Sequence, residues 1–257
     1  MRLICWIVLV MAPVAAAQEI VLKAERMAHM LVLKEVYLSG QGPFRMLIDS
    51  GASSCAIRPS LARKLGLHPA YAVELETAAG VKRVPAVRLD ELRIGTVRNR
   101  DVEALVTEIE SSRVDGVLGQ SWLAQHDYLL DFRSSRLVLN AAAPEHGVTT
   151  ALRSSDGRPQ IAADVNGRSQ DLVVDSGTSD LILFGRSRFA NPVELVTNSG
   201  SVEAETGSSR VKIGSNFSRL MTSAAVDASP RPGLLPAAAF ASVYVSNRNG
   251  VVVLVPR

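Results

Sequence analysis

Two copies of Asp-Ser-Gly are the residues of this chain whose types and spacing are best suited to chemistry. Asp49 follows an apolar run at 46–48, and Asp175 follows an apolar run at 172–174. An apolar strand that ends in Asp-Ser-Gly leads into a tight turn, where backbone N–H groups and the neighbouring hydroxyl hold the carboxylate. The glycine suits such a turn because the backbone has to bend sharply and approach other atoms closely. Each motif is therefore expected to place a carboxylate at the floor of a cleft.

If the two turns meet across a pseudo-twofold axis, Asp49 and Asp175 become adjacent carboxyl groups. Two carboxylates about 3 Å apart cannot both ionise, so they share one proton. The ionised group takes a proton from a water molecule that attacks a peptide carbonyl, and the protonated group protonates the leaving amine. This chemistry needs no metal and no organic cofactor, and neither is predicted. Metal-dependent phosphoester hydrolysis is disfavoured because no further Asp, Glu or His cluster accompanies the pair.

An internal repeat supports the meeting of the two turns, because five segments recur in the same order along the chain. The matched segments are 46–53 with 172–179, 74–80 with 194–200, 92–95 with 211–214, 116–119 with 233–236, and 137–139 with 251–253. Chance does not account for five matches in one order. The repeat predicts two equivalent lobes, each of which contributes one carboxylate.

Short apolar or alternating runs, bounded by Gly, Asn, Ser and Pro, predict strands and hairpins throughout the repeat. The predicted strands are 30–38, 44–48, 84–94, 104–109, 160–165, 172–174, 181–184, 211–213 and 251–255. Hairpin turns are predicted at 39–42 and at 166–167. Helical patterns are limited to 59–65 and 121–125, so the predicted fold class is mostly β.

Length and composition fit a folded protein with a large buried core. The chain has 257 residues, of which 47% are hydrophobic, and this suits two lobes of ordinary size. Its 28 basic and 25 acidic residues are interspersed, so no cationic block predicts nucleic-acid binding. Residues 141–155 are expected to link a first lobe at 18–140 to a second lobe at 156–257.

Residues 1–17 have the composition of a signal peptide. Arg2 precedes an apolar run at 3–14, and the alanines at 15–17 form a small-residue cleavage site before Gln18. The apolar run is shorter than the roughly 20 residues that span a bilayer, so no stable membrane insertion is expected after cleavage. We therefore expect an exported protein, either periplasmic or secreted.

Three stretches of sequence resemble those of the retropepsin and pepsin aspartic peptidases. They are Leu-Ile-Asp-Ser-Gly-Ala-Ser around Asp49, Val-Val-Asp-Ser-Gly-Thr-Ser around Asp175, and Gly-Val-Leu-Gly at 116–119. The resemblance covers most of residues 30–257. It implies an acid-protease fold with two β-barrel-like lobes, related by a pseudo-twofold axis, and an active-site cleft between them. It also implies that Asp49 and Asp175 are the catalytic pair of an endopeptidase.

The same resemblance assigns neighbouring residues to the support of the two active-site turns. These residues are Ser50, Gly51, Ala52, Ser176, Gly177 and Thr178. Ser50 and Ser176 would supply orienting hydroxyls, whereas Ala52 and Thr178 would lie where family members lock the two turns together. Because Ala52 has no hydroxyl, the lock is expected to be asymmetric.

Two small-residue tips between strand-like arms resemble the flaps that close over substrate in these peptidases. The tips consist of Ala78, Ala79 and Gly80 in the first lobe and Asn198, Ser199 and Gly200 in the second. A polypeptide substrate in extended conformation would pair with them as an added β-strand. Since the duplication supplies both halves of the site, a monomer is predicted.

Pro236 is the main departure from the pattern, because it stands where Gly119 and the family pattern have glycine. Proline removes an N–H and fixes φ, so the loop beneath Asp175 is expected to be rebuilt. Pro236 and Ala52 leave open a second function, that of a catalytically impaired module that binds peptide or a partner protein. The fold alone does not decide between them, because function depends on the site.

Overall fold

The computed structural model of the protein describes residues 18–77, 80–154, 156–186, 189–197, 200–229 and 231–257. These residues form a mostly β structure, as predicted. The predicted signal peptide lies outside them. The strands are β1 (Ile20–Lys23), β2 (Glu25–Met27), β3 (Met30–Leu38), β4 (Gln41–Ile48), β5 (Cys55–Ile57), β6 (Tyr71–Thr77), β7 (Gly80–Ile94), β8 (Val97–Val106), β9 (Gly116–Leu118), β10 (Tyr128–Asp131), β11 (Arg136–Leu139), β12 (Val148–Ala151), β13 (Gln160–Val165), β14 (Arg168–Asp175), β15 (Leu181–Phe184), β16 (Asn191–Thr197), β17 (Gly200–Ile213), β18 (Phe217–Val226), β19 (Gly233–Pro236), β20 (Ser242–Ser246) and β21 (Val251–Val255). The helices are α1 (Pro59–Lys64), α2 (Gln120–Leu123) and a 3₁₀ helix at Ala237–Ala239.

Two sheets repeat the same strand order. Strands β2 to β9 form one sheet in the order β2-β3-β4-β9-β5-β8-β7-β6, and β13 to β19 form another in the order β13-β14-β19-β15-β18-β17-β16. Apart from the additional β2, the second order matches the first strand by strand. Strand β3 also pairs with β7, and β13 also pairs with β17, so each sheet folds back on itself. The repeat seen in the sequence is therefore a repeat in topology.

A third sheet joins the first half of the chain, which carries β1 to β11, to the second half, which carries β12 to β21. Its order is β1-β11-β10-β20-β21-β12, so that each half supplies three strands. The halves meet where β10 pairs with β20, with Tyr128 opposite Val245. Strand β12 lies within the segment predicted as a linker, which is therefore partly a strand of this shared sheet.

Two hairpin turns place β4 and β14 beside the strands that precede them. Ser39 and Gly40 have φ angles of 47° and 79°, and Asn166 and Gly167 have 53° and 83°. Positive φ at both central residues matches the right-handed twist of the flanking strands, and Asn and Gly adopt it readily. The two predicted hairpins are thus confirmed, and each delivers one Asp-Ser-Gly motif.

The largest apolar core extends across both halves of the chain. Its largest fully buried side chains include Trp122, Tyr128, Phe132 and Phe240. Burial of one large apolar side chain contributes roughly 1.5–3 kcal/mol, so this core holds the halves in a fixed relation. Within the part of the chain that the structure describes, no helix has the length and apolarity needed to span a bilayer.

Candidate active site

Two parallel strand pairs bring the aspartates together. Strand β4 lies parallel to β9, and the backbone N–H of Asp49 donates to the carbonyl of Leu118 at 3.0 Å. Strand β14 lies parallel to β19 and ends with Asp175. The residues just before the aspartates, Ile48 and Val174, are fully buried. The packing of these strand ends therefore fixes the point from which each carboxyl group projects.

Four hydrogen bonds made by Ser50 and Ser176 join the two turns, and we call this arrangement the seryl lock. The backbone N–H of Ser50 donates to Oγ of Ser176 at 2.9 Å, and the N–H of Ser176 donates to Oγ of Ser50 at 3.0 Å. The Ser50 hydroxyl donates to the carbonyl of Val174 at 2.7 Å, and the Ser176 hydroxyl donates to that of Ile48 at 2.8 Å. All four bonds are buried, so they hold the two turns in one relative position.

The predicted position of the lock, at Ala52 and Thr178, is wrong. Thr178 donates its hydroxyl to the carbonyl of Asp180 in its own half, at 3.1 Å. Ala52 contributes its backbone N–H to Oδ1 of Asp49, at 3.2 Å. Because the lock uses the serine of each Asp-Ser-Gly motif, it is symmetric, and the missing hydroxyl at Ala52 does not weaken it.

Gly51 and Gly177 are required by close approach to the opposite carboxyl group. A Cβ atom on Gly51 would lie 2.5 Å from Oδ2 of Asp175, and one on Gly177 would lie 2.8 Å from Oδ2 of Asp49. No side chain fits at such distances. Each glycine therefore makes room for the aspartate of the other half, as the motif predicts.

The carboxyl groups of Asp49 and Asp175 lie within hydrogen-bonding distance of each other. Burial raises the pKa of Asp175 well above its ordinary value, and the negative charge of Asp49 raises that pKa further. Burial also raises the pKa of Asp49, although hydrogen bonds from Asp175 and from two backbone N–H groups oppose this rise. Two adjacent buried carboxyl groups whose pKa values are raised are suited to holding one proton between them.

The backbone around the pair favours the negative charge on Asp49. Its Oδ1 accepts the N–H groups of Gly51 at 2.9 Å and of Ala52 at 3.2 Å. Oδ1 of Asp175 accepts the N–H of Gly177 at 2.6 Å. Because N–H donors stabilise the ionised form of a carboxyl group, they oppose the rise in the pKa of Asp49 through two donors and that of Asp175 through one.

A cleft with a volume of about 1000 Å³ opens over the pair and is lined by both halves. The apolar part of its lining includes Met30 and Leu75 of the first half, and its charged part includes Arg158 and Arg231 of the second. Burial dominates the pKa of both aspartates, and the positive charge of Arg158 opposes it. A volume of this order accommodates a segment of polypeptide.

The predicted flaps lie at the ends of two long hairpins, the first formed by β6 and β7 and the second by β16 and β17. Gly80 begins β7 opposite Thr77, and Gly200 begins β17 opposite Thr197. The other four predicted flap residues, Ala78, Ala79, Asn198 and Ser199, lie outside the described residues. The hairpins are confirmed, and their role as flaps stays a prediction.

Arg231 of the second half contacts the end of the first hairpin across the cleft. Its Nη2 donates to the carbonyl of Thr77 at 3.1 Å. Its guanidinium carbon lies 3.9 Å from the centre of the Phe184 ring, which is a cation–π contact. The first hairpin therefore reaches over the cleft to the opposite half.

Pro236 leaves the strand pairing beneath Asp175 intact. The register of β14 with β19 is that of β4 with β9, and Pro236 itself lies opposite Asp175. The backbone angles differ, with φ −64° and ψ 111° at Pro236 against φ −100° and ψ −167° at Gly119. The backbone at Pro236 thus differs from that at Gly119, while the strand pairing that positions Asp175 is kept.

Gln120 is a support of the site that sequence reasoning missed. Its Nε2 donates to the carbonyl of Ser50 at 2.8 Å and to the hydroxyl of Tyr128 at 3.2 Å. Gln120 is buried and follows Gly119, but the residue that follows Pro236 is Ala237. The repeat therefore gives no signal for Gln120, because only one half has it.

Cys55 and Asp131 are two further groups with reactive side chains, and both have structural surroundings. Cys55 is buried, and burial raises the pKa of its thiol, which keeps it protonated and unreactive. Asp131 accepts the N–H groups of Arg133 and Ser134 at 3.0 Å each and pairs with Arg136. Within the described residues, no group of three or more His, Cys, Asp or Glu side chains is arranged to hold a metal ion.

Comparison with known proteins gives a match in the first half of the chain. Residues 34–122 match the family model described as aspartyl protease, and this stretch contains Asp49 and Gly119. A relative from Sinorhizobium sp., an uncharacterized protein in the cobV 5' region, is 35% identical over 98 residues, which are 37% of this chain and 41% of the relative. The match thus spans less than half of that relative's length.

Among solved structures, the chain is similar to a retropepsin-like aspartic protease from Rickettsia conorii. The two are 21% identical, and the match covers 48% of this chain and 89% of the other, with a TM-score of 0.39. The family match contains the first Asp-Ser-Gly turn, and the second turn completes the same pair of carboxyl groups. The chain is thus similar to the aspartyl protease family over residues 34–122.

Proposed function

We propose that the protein is an aspartic endopeptidase, which hydrolyses peptide bonds through a water molecule activated by Asp49 and Asp175. The observation that carries this proposal is the pair of adjacent carboxyl groups at the floor of a cleft, each with a raised pKa. A buried pair with one shared proton supplies a base and an acid at the same time. The match to the aspartyl protease family supports the same chemistry.

The surroundings of the two carboxyl groups favour different roles for them. Asp49, which accepts two backbone N–H groups, is the carboxylate that removes a proton from the attacking water. Asp175, whose pKa is raised further, holds the proton that is donated to the substrate carbonyl and then to the leaving amine. The seryl lock keeps both groups in position through the reaction without contacting the substrate.

The proposed substrate is a polypeptide in extended conformation, which lies between two β-barrel-like lobes and beneath the hairpin tips at Gly80 and Gly200. The second pairings of β3 and β13, which fold each sheet back on itself, support the barrel-like form. The unpaired backbone groups of an extended peptide are suited to pair with a hairpin that overhangs a cleft. We propose a monomer, because one chain supplies both halves of the site.

Digestion of a peptide library tests the proposal. We expect wild-type cleavage in acidic to neutral solution and a loss of about 10²- to 10⁴-fold in kcat/KM for Asp49→Asn and for Asp175→Asn, as for removal of an acid or base. Asp180→Asn is the matched control, because Asp180 also lines the cleft but lies outside the pair. Cleavage that survives either substitution in the pair would refute the mechanism. An ordered wild type that binds peptide without cutting it would instead be a binding module.

The proposal includes export, with residues 1–17 as a signal peptide and Gln18 as the first residue of the mature chain. The small residues before Gln18 support this position. Expression of the full chain with its own leader, followed by mass spectrometry of the processed form, is expected to give an N-terminus at Gln18. Retention of residues 1–17 on the accumulated protein would contradict export by cleavage.

A further inference from the structure

Met30 and Arg158 are one of the pairs of equivalent positions at which the two walls of the cleft differ. Leu31, which follows Met30, pairs with Ile48. Pro159, which follows Arg158, accepts the N–H of Val174 with its carbonyl group. Since Ile48 and Val174 each precede a catalytic aspartate, Met30 and Arg158 occupy the same place in the two halves. Both line the cleft. One wall is therefore apolar where the other carries a guanidinium group.

Arg158 is held in the cleft by a neighbouring carboxylate. Its Nε donates to Oδ2 of Asp156 at 2.6 Å, and its backbone N–H donates to Oδ1 at 3.2 Å. The Arg158 side chain is 23% exposed and that of Asp156 is 38% exposed. Asp156 occupies one edge of the guanidinium, which has more N–H groups than one carboxylate uses. Arg158 is thus oriented and partly desolvated, and it keeps donors for a further acceptor.

Arg158 also lies close to the reacting groups. Its positive charge acts on both Asp49 and Asp175, which places it within electrostatic range of the bond to be cut. Apart from Asp49 and Asp175, the carboxylates outnumber the cations in the first half of the cleft lining, with Glu74, Glu103, Glu108 and Glu110 against Arg113, whereas they balance in the second, with Asp156 and Asp180 against Arg158 and Arg231. The glutamates of the first half repel an acidic group on a substrate. An acidic group is therefore favoured on the Arg158 side of the cleft and disfavoured on the other.

We infer that Arg158 is a specificity-determining residue, which selects peptides with an Asp or Glu side chain near the scissile bond on one side only. The guanidinium group of Arg158, beside Asp156, donates hydrogen bonds to the substrate carboxylate. The inference rests on the proposed function, because it assigns a substrate class to the same cleft. Met30 gives the equivalent position of the other half a preference for apolar side chains.

Peptide pairs that differ only by Asp or Asn test the inference, with the exchange made in turn at each position around the cleaved bond. At about pH 6 a peptide Asp is ionised and has nearly the shape of Asn. We expect wild-type kcat/KM to favour Asp over Asn by about tenfold at one position, which corresponds to one charge-assisted hydrogen bond. The ratio isolates the side-chain contact, because any change in the catalytic pair affects both peptides alike.

Three variants complete the test. Arg158→Met, which copies Met30, is expected to bring the Asp-to-Asn ratio to about one, and Arg158→Lys is expected to retain part of the preference. Arg153→Met is the control, because Arg153 forms an ion pair with Asp171 away from the cleft lining, and its ratio is expected to remain that of the wild type. Circular dichroism verifies that each variant is folded.

Binding separates this inference from the proposed function. The same peptide pairs, labelled with a fluorophore, are titrated with Asp49→Asn protein and with protein that carries both Asp49→Asn and Arg158→Met. Preferential binding of Asp peptides that Arg158→Met removes supports the inference, even if the wild type cuts none of them. Equal binding of Asp and Asn peptides, or a preference that survives Arg158→Met, overturns it whether or not the wild type cleaves peptides.

Discussion

The two aspartates have different hydrogen-bond partners, and at the residue scale this difference matters more than their shared motif. The backbone supports a negative charge at Asp49 with two N–H groups, whereas Asp175 is buried beside that charge. The sequence predicts the pair, since the motif and the repeat identify both residues. It does not predict the asymmetry, which arises from small differences in the two turns. Arg158 was missed for a similar reason, because nothing in the residues around it indicates that the chain brings it beside the pair.

The raised pKa of Asp175 predicts that this buried carboxyl group destabilises the fold at neutral pH. Below about pH 4, the ordinary range of an Asp, the folded and unfolded states both hold the proton and there is no effect. As pH rises towards the folded pKa, the unfolded state gains stability by ionising while the folded state does not. Asp175→Asn is therefore expected to unfold at a higher temperature than wild type near neutral pH, and the gain should vanish in acid. Melting curves across the pH range measure it.

Asp131→Asn is the control, because the ionised form of Asp131 is expected to stabilise the fold and that of Asp175 to destabilise it. Partial burial opposes ionisation of Asp131, but hydrogen bonds from Ser134 and Arg136 prevail and lower its pKa. The contribution of Asp131 to stability is thus present above the unfolded pKa and is lost as pH falls through the folded pKa. Loss of stability in both variants at neutral pH would contradict the raised pKa of Asp175.

At the element scale, local pattern predicts strands better than it predicts their partners. Strands β3, β13, β15 and β21 begin and end at the predicted residues, because apolar alternation and turn residues are local features. Strand β12 was missed, since its Ala- and Thr-rich sequence becomes a strand by pairing with the distant β21. The seryl lock was assigned to the wrong residues because its hydrogen bonds cross from one half to the other.

Gly119 and Pro236 offer a matched pair of substitutions in equivalent loops. A Cβ on Gly119 would lie 2.6 Å from the backbone carbon of Ser54 and 2.8 Å from the carbonyl oxygen of Ala52, which flank the Asp49 turn. Gly119→Ala is therefore expected to lower the free energy of unfolding by about 1–3 kcal/mol and to reduce activity. Pro236→Gly should cost less, about 0.4–1 kcal/mol, mostly through unfolded-chain entropy.

Urea unfolding and kcat/KM measure both variants. The register of β14 with β19 is already that of the first half, so Pro236→Gly is expected to leave kcat/KM nearly unchanged. A large gain of activity in Pro236→Gly would show that the proline impairs the site.

At the scale of the whole molecule, the shared sheet and the continuous core predict that the two halves unfold together. The sheet takes three strands from each half, and the largest core cluster contains side chains of both. Trp122, the single tryptophan after residue 6, reports on the first half, whereas far-ultraviolet circular dichroism reports on both. We expect coincident thermal transitions by the two probes and one calorimetric peak. Separate transitions would show that the halves are independent domains.

The seryl lock has a consequence for how such a protein diverges. Each hydroxyl completes the turn of the opposite half, so a substitution at either serine disturbs both carboxyl groups. The two turns that form the floor of the cleft therefore have to change together. The walls carry no such reciprocal bond at Met30 and Arg158. A single chain with two copies of the motif can therefore alter one wall and keep the other, which an assembly of identical subunits cannot do. Two copies of the motif in one chain thus allow the two walls of the cleft to carry different side chains while the floor stays the same.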